Sequence, residues 1–229
     1  MTRKLRLTQE LVDRLPPRVD EMGPVKVSAP DPDYHARNAA QILGALRKSD
    51  ELWVFAVGSL IWKPRFSVVE RRPGLVKGWH RSFCLGPMLR HRGSPSAPGR
   101  MLSLDRGGEC TGVALRMDPG NMAVELETLL TLEPPLPPQW LDVETDTDTL
   151  PAIAFVIRPD FAMYAPEPPL EELADLLATA VGHVGTMAEY LLNTVTQLEE
   201  AGLHDPHLWQ LQDMVADRLE RLPGAAHHP

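Results

Sequence analysis

The run Leu52-Trp53-Val54-Phe55-Ala56-Val57, closed by Gly58-Ser59, constrains this chain more than any other stretch. Six consecutive apolar residues rich in β-branched and aromatic side chains read as a fully buried strand, and the glycine-serine pair ends it sharply. Glycine lets the backbone turn where a Cβ would clash, and it leaves successive N–H groups facing whatever sits in the bend. That outlines an anion or oxyanion pocket, although an ordinary turn after a core strand has the same local signature. The segment runs on as Leu60-Ile61-Trp62-Lys63-Pro64.

A strand of this kind needs a core around it, and 229 residues with 43% hydrophobic content supply one. The net charge of −8 argues against a broad nucleic-acid footprint. No apolar run approaches the roughly 20 residues that span a bilayer, and the N-terminal residues lack the apolar region of a signal peptide. A cytoplasmic protein with no membrane or nucleic-acid partner is therefore expected. Cys84 and Cys110 make neither a disulfide framework nor a zinc set, and read as two small buried thiols.

Prolines divide the chain into elements. Thr8 is placed to cap a short helix through Leu11 to Arg14, and a second helix is expected from about Asp33 to Lys48 with Ala39, Ile42, Leu43 and Leu46 on its apolar face. From Leu52 to Met117 the pattern is that of short strands: Val68–Val76 broken at Pro73-Gly74, Gly78–Leu85, Met101–Leu104, a glycine-containing hairpin turn over Asp105–Glu109, and Thr111–Met117. Met122, Leu126, Leu129 and Leu130 mark a helix over Met122–Leu132, which Pro134 and Pro135 end, leaving Glu133 at its exit. Trp140–Thr145 and Leu150–Ile157 read as two more strands, and Leu170–Val181, Thr186–Leu203 and Pro206–Leu222 as three helices. The expected fold class is α+β: a curled antiparallel sheet or a small antiparallel or mixed β-barrel, flanked by helices, with N-terminal and C-terminal helical additions. Residues 1–50 form a helical lead-in, 51–222 the main domain and 223–229 a loose tail.

Three separated stretches together resemble the ChaC-like γ-glutamylcyclotransferases. The first is Val54 to Pro64, which is similar to the family's Tyr-Gly-Ser-Leu loop and its apolar strand. The second is Gly78-Trp79-His80-Arg81-Ser82-Phe83-Cys84-Leu85, followed by Arg92-Gly93-Ser94-Pro95, Pro98-Gly99, Leu104 to Gly108 and Cys110 to Arg116. The third is Glu189-Tyr190-Leu191-Leu192-Asn193-Thr194-Val195, with the Gly202–Pro206 turn and Leu208 behind it. The resemblance extends from about Trp53 to Val215. It implies a barrel flanked by helices and an enzyme that releases 5-oxoproline from a γ-glutamyl amide, chiefly glutathione, leaving Cys-Gly. It implies no cofactor and no metal.

The reaction needs a folded substrate, a base for the glutamyl ammonium and a site for an oxyanion. By the resemblance, Glu133 stands at the position of the family's catalytic glutamate. Backbone N–H groups from Val57, Gly58, Ser59 and Leu60 are candidates to hold the oxygen. Arg92, or its neighbour Arg90, suits a substrate carboxylate, and Tyr190 is placed to offer a hydroxyl. Glu125, Glu127 and Glu144 are lesser candidates for the base. The chain departs from the family in having Val57 where the loop carries tyrosine, and in the apolar, proline-rich setting of Glu133. A second reading is a drifted domain that binds a γ-glutamyl or other amino-acid ligand without turnover, and a third keeps cyclisation with a different γ-glutamyl substrate. Ser59 as a hydrolase nucleophile with His80 as base lacks the Gly-x-Ser-x-Gly elbow. His204 and His207 lack companion ligands for a metal.

Overall fold

Packing turns the apolar run into the first strand of a closed barrel. The computed structural model describes residues 4–46 and 51–223, so the expected helix end at Lys48, the junction at residue 50 and the tail beyond 223 lie outside the described residues. Two units are formed from interleaved segments: a barrel unit of Val27–Arg81 and Ser103–Arg158, and a helical unit drawn from Met1–Lys26, Ser82–Leu102 and Pro159–Pro229. The expected lead-in is thus divided, its first part in the helical unit and the rest in the barrel unit.

In the barrel, β1 (Trp53–Ala56) is buried at all four positions. The other strands are β2 (Val68–Met88), β3 (Gly99–Met117), β4 (Gln139–Glu144) and β5 (Thr149–Ala154), joined in the order β1-β3-β2-β4-β5. β1 runs antiparallel to β3, with Phe55 opposite Ala114, and parallel to β5, with Val54 opposite Ile153, so the barrel is mixed. Trp53, Phe55, Val57, Val76, Leu104, Ala114, Val143 and Ala152 belong to one apolar cluster of this unit. Their alternation along each strand follows from the two-residue side-chain period.

Two expected breaks are corrected. β2 is one strand of 21 residues that passes through Pro73-Gly74, and β3 is one of 19 residues that passes through the expected hairpin at Asp105–Glu109. Gly74 serves close approach: a Cβ there would stand 2.4 Å from Val143 Cγ1 on β4. Gly107 and Gly108 have φ of +97° and +68°, and these left-handed residues bend β3 without reversing it. Gly112 admits the neighbouring strand, since a Cβ there would lie 2.7 Å from the Ala56 carbonyl oxygen and 2.6 Å from Phe55 Cζ. Gly112→Ala is expected to destabilise the fold by about 1–3 kcal/mol, read as a lowered midpoint of thermal or urea unfolding.

Three helices complete the barrel unit: α2 (Tyr34–Gly44), the single turn α3 (Ser59–Trp62) and α4 (Met122–Leu132). α4 has the expected bounds, and Met122, Leu126, Leu129 and Leu130 are its buried stripe. α2 packs against α4 and buries Ala39 and Ile42.

The helical unit contains α1 (Gln9–Val12), α5 (Leu170–Thr179), α6 (Met187–Glu200) and α7 (Pro206–Glu220), with the short hairpin β6 (Val181–Gly182) and β7 (Gly185–Thr186). Thr8, Thr186 and Asp205 cap α1, α6 and α7 through their side-chain oxygens. Met187, Leu191, Val195 and Leu198 are buried along one face of α6. Among the described residues no helix is long and apolar enough to cross a membrane, and no group of three or more His, Cys, Asp or Glu is placed to hold a metal.

Candidate active site

The Gly58-Ser59 bend leads directly into a helix. Gly58 is the N-cap of α3, its carbonyl accepts from Ile61 N at 2.9 Å, and the Ser59 carbonyl accepts from Lys63 N at 2.7 Å. The first N–H groups of any helix have no intrahelical acceptor, so Ser59 and Leu60 present theirs at the end of β1. Val57 turns its side chain into the barrel cluster, which leaves its backbone as the part able to face the bend.

Two arginines hold this loop. Arg81, buried on β2, donates from Nε to the Val57 carbonyl at 2.7 Å and from its other end to the Thr111 carbonyl. Arg71 donates to the Ile61 carbonyl at the last turn of α3, at 2.9 Å. Neither had a signal in local sequence, because an arginine on a strand reads as a solvated one.

Downstream of α3 the chain is tied to α4. Glu125, in the first turn of α4, accepts from Ser67 N at 2.8 Å and from Ser67 Oγ at 2.7 Å, and Ser67 O accepts from Asp118 N at 2.9 Å. At the other end of α4, Glu133 is the C-cap residue, with extended φ −94° and ψ 164° and its N–H on the Leu129 carbonyl at 3.2 Å. A residue before proline is driven out of the helical region, and here Pro134 enforces the exit. Glu133 keeps part of its surface open, but its carboxyl group lies deep in protein. Burial pushes that carboxyl up to about 7, against the opposing pull of the Arg65 charge. Arg65 lies six positions beyond Ser59, so the segment leaving the bend comes within electrostatic reach of Glu133.

The other acids have different duties. Glu125 is committed to Ser67, Glu144 pairs with Lys77 at 2.8 Å, and Glu127 is exposed. His80 is exposed, with its ring Nδ1 3.1 Å from the Gly107 carbonyl.

Val57, Gly58, Ser59, Leu60 and Glu133 all belong to the barrel unit, whereas Arg92 and Tyr190 belong to the helical unit. There Arg92 is buried, donates to the Thr186 carbonyl at 2.7 Å, and holds the Glu189 carboxylate at 2.5 Å. Its guanidinium also lies 5.9 Å from the centre of the Tyr190 ring, and Tyr190 is itself 1% exposed. The Arg92 fork thus already grips a carboxylate of the protein. Arg90 donates to the Gly23 carbonyl at 2.8 Å. His207 pairs with Glu167 at 2.8 Å and His204 with Glu199 at 2.6 Å.

A carboxyl group half-ionised near neutrality at a helix exit can take a proton from an ammonium and return it to a leaving amine. The family model of ChaC-like proteins matches residues 52–218. The glutathione-specific γ-glutamylcyclotransferase of Escherichia coli is 33% identical over 202 residues, covering 86% of this chain and 87% of that protein. Glutathione-specific γ-glutamylcyclotransferase 1 of Rattus norvegicus is 31% identical, covering 84% of this chain and 90% of that protein. A crystal structure of a yeast γ-glutamyl cyclotransferase specific to glutathione superimposes with a TM-score of 0.67 at 20% identity, over 78% of this chain and 99% of that one.

Proposed function

The chain belongs to the ChaC-like protein family, and on that premise we propose that it cleaves glutathione to 5-oxoproline and Cys-Gly with Glu133 as the general base. The observation that carries the reading is the Glu133 carboxyl raised to about 7 by burial at the exit of α4. A base is most effective when its pKa lies near the working pH, and an ordinary surface glutamate would be a far weaker one.

The steps balance without water. Glu133 takes a proton from the glutamyl α-ammonium, and the freed amine attacks the γ-carbonyl carbon of the same residue. A five-membered ring forms, and the oxyanion is received by the backbone N–H groups of Ser59 and Leu60. The amide bond to cysteine then breaks as the proton held on Glu133 passes to the leaving cysteinyl nitrogen, and the ring nitrogen gives up its second proton through the freed Glu133 carboxylate to that amine, which departs as an ammonium. Because nucleophile and electrophile belong to one molecule, the protein's main task is to hold the glutamyl chain folded. Such positioning is worth about 7–11 kcal/mol in the most favourable intramolecular cases. A cytoplasmic setting fits a substrate that keeps thiols reduced, and Cys84 and Cys110 are both buried and unbridged.

Incubation of the purified protein with glutathione is expected to yield equal amounts of 5-oxoproline and Cys-Gly. Binding of glutathione without release of Cys-Gly would replace this reading with the non-catalytic one. The pH dependence follows from the base: only the carboxylate accepts a proton, so kcat/KM should fall tenfold per pH unit below about 7. A rate flat from pH 5 to 8 would remove Glu133 from the role.

A further inference from the structure

We propose that Tyr34 is a positioning residue for Glu133, its hydroxyl pinning the loop that leaves α4 and thereby keeping the Glu133 carboxyl buried. The proposal rests on the reading of Glu133 as the base. Tyr34 lies outside residues 52–218, the span that the family model matches.

The geometry is specific. The Tyr34 hydroxyl donates to the Pro135 carbonyl at 3.0 Å, bridging 101 positions of sequence to a point two residues beyond Glu133. Pro134 and Pro135 have no N–H, so the carbonyls are the only backbone handles this part of the loop offers. The Leu136 N–H closes a tight turn onto the Pro134 carbonyl at 2.6 Å, which leaves the Pro135 carbonyl facing the tyrosine. On the other side, Tyr34 is the first residue of α2, and α2 is held against α4 by its buried Ala39 and Ile42. Asn38 donates to the Tyr34 carbonyl at 2.7 Å, and the His35 ring meets the Tyr34 ring edge-on at 5.2 Å. The phenol is therefore fixed by the same helix pair whose second member carries Glu133 at its end.

Among the described residues, Arg65 acts on Glu133, Arg158 acts on the Tyr34 hydroxyl, and His35 stands beside the phenol. Burial raises the Tyr34 hydroxyl above its ordinary value, so it remains a protonated donor throughout the working range. Loss of the tether frees the Pro134–Pro138 loop to admit water to the carboxyl, and a hydrated carboxyl returns toward an ordinary glutamate.

The test is Tyr34→Phe in the full chain, which keeps the ring and deletes only the hydroxyl. The Glu133 carboxyl is titrated by ¹³C NMR without substrate, Glu133→Gln serving to assign the resonance, and kcat and KM are measured with glutathione across pH. The expected result is a titration midpoint lowered by about one pH unit. The acid limb of kcat/KM should move with it, and kcat should fall about 3- to 10-fold with KM little changed. A midpoint that stays in place overturns the proposal, even where unfolding occurs at a lower temperature, because a merely structural tyrosine would give that result. The NMR readout needs no turnover, so it decides the role of Tyr34 separately from whether glutathione is cleaved.

Discussion

Glu133→Gln is expected to lower kcat for 5-oxoproline release by about 10²- to 10⁴-fold while leaving the circular dichroism spectrum and thermal cooperativity intact. Glutamine preserves shape and polarity at the exit of α4 but cannot accept the ammonium proton. The residual rate reflects the folding of the substrate alone. Retention of full activity would end the assignment of Glu133.

The same substitution has a stability signature with a defined sign. The folded carboxyl titrates at about 7, above the ordinary 4.5. Below pH 4.5 the group is neutral in both the folded and the unfolded chain and makes no difference. As pH rises from 4.5 to 7 the unfolded chain ionises first, so the wild-type protein loses stability, and above 7 the loss is complete. At 1.36 kcal/mol per pH unit of separation the loss amounts to about 3 kcal/mol. The neutral glutamine escapes it. Urea midpoints should thus coincide for variant and wild type near pH 4.5 and favour the variant at pH 8. A substrate ammonium beside the carboxylate supplies the missing counter-charge, so the unfavourable burial is set against substrate binding, a common cost of an active site.

Arg92→Ala is expected to destabilise the helical unit by about 3 kcal/mol, because it strips the partner from the Glu189 carboxylate and removes a donor from the Thr186 carbonyl. The value falls at the low end of the range for broken buried pairs, since the Glu189 side chain remains 36% exposed. Chemical denaturation checks it, and adding Glu189→Gln should recover part of the loss. An unchanged midpoint accompanied by a large rise in KM for glutathione would instead give Arg92 a substrate carboxylate as its partner.

These expectations mark how much was legible in the chain. The stripe Met122, Leu126, Leu129 and Leu130 located α4 and placed Glu133 at its exit, because helical periodicity and a following Pro-Pro are local signals. The glycines of β2 and β3 misled, because a glycine records only that a Cβ is unwelcome. Whether the reason is a reversal, a bend as at Gly107-Gly108, or a close neighbour as at Gly74 depends on what packs alongside. Arg71, Arg81 and Glu125 carried no local sign of their duties, since each partner is reached through the fold.

The sequence by itself determined the elements, the barrel-and-helix class and the bend after β1, all of which follow from apolar periods of two and 3.6 residues, from proline and glycine placement, and from the joint order of three motifs. Tertiary structure alone decided which charges are already committed and how acidic Glu133 is. It turned Arg92 toward Glu189, set the Tyr34 hydroxyl on the Pro135 carbonyl, and closed enough protein around one carboxyl to raise it to about 7. The physical reason is that desolvation and charge act through space. Their strength depends on segments that meet only after folding, and no local pattern of residues encodes it.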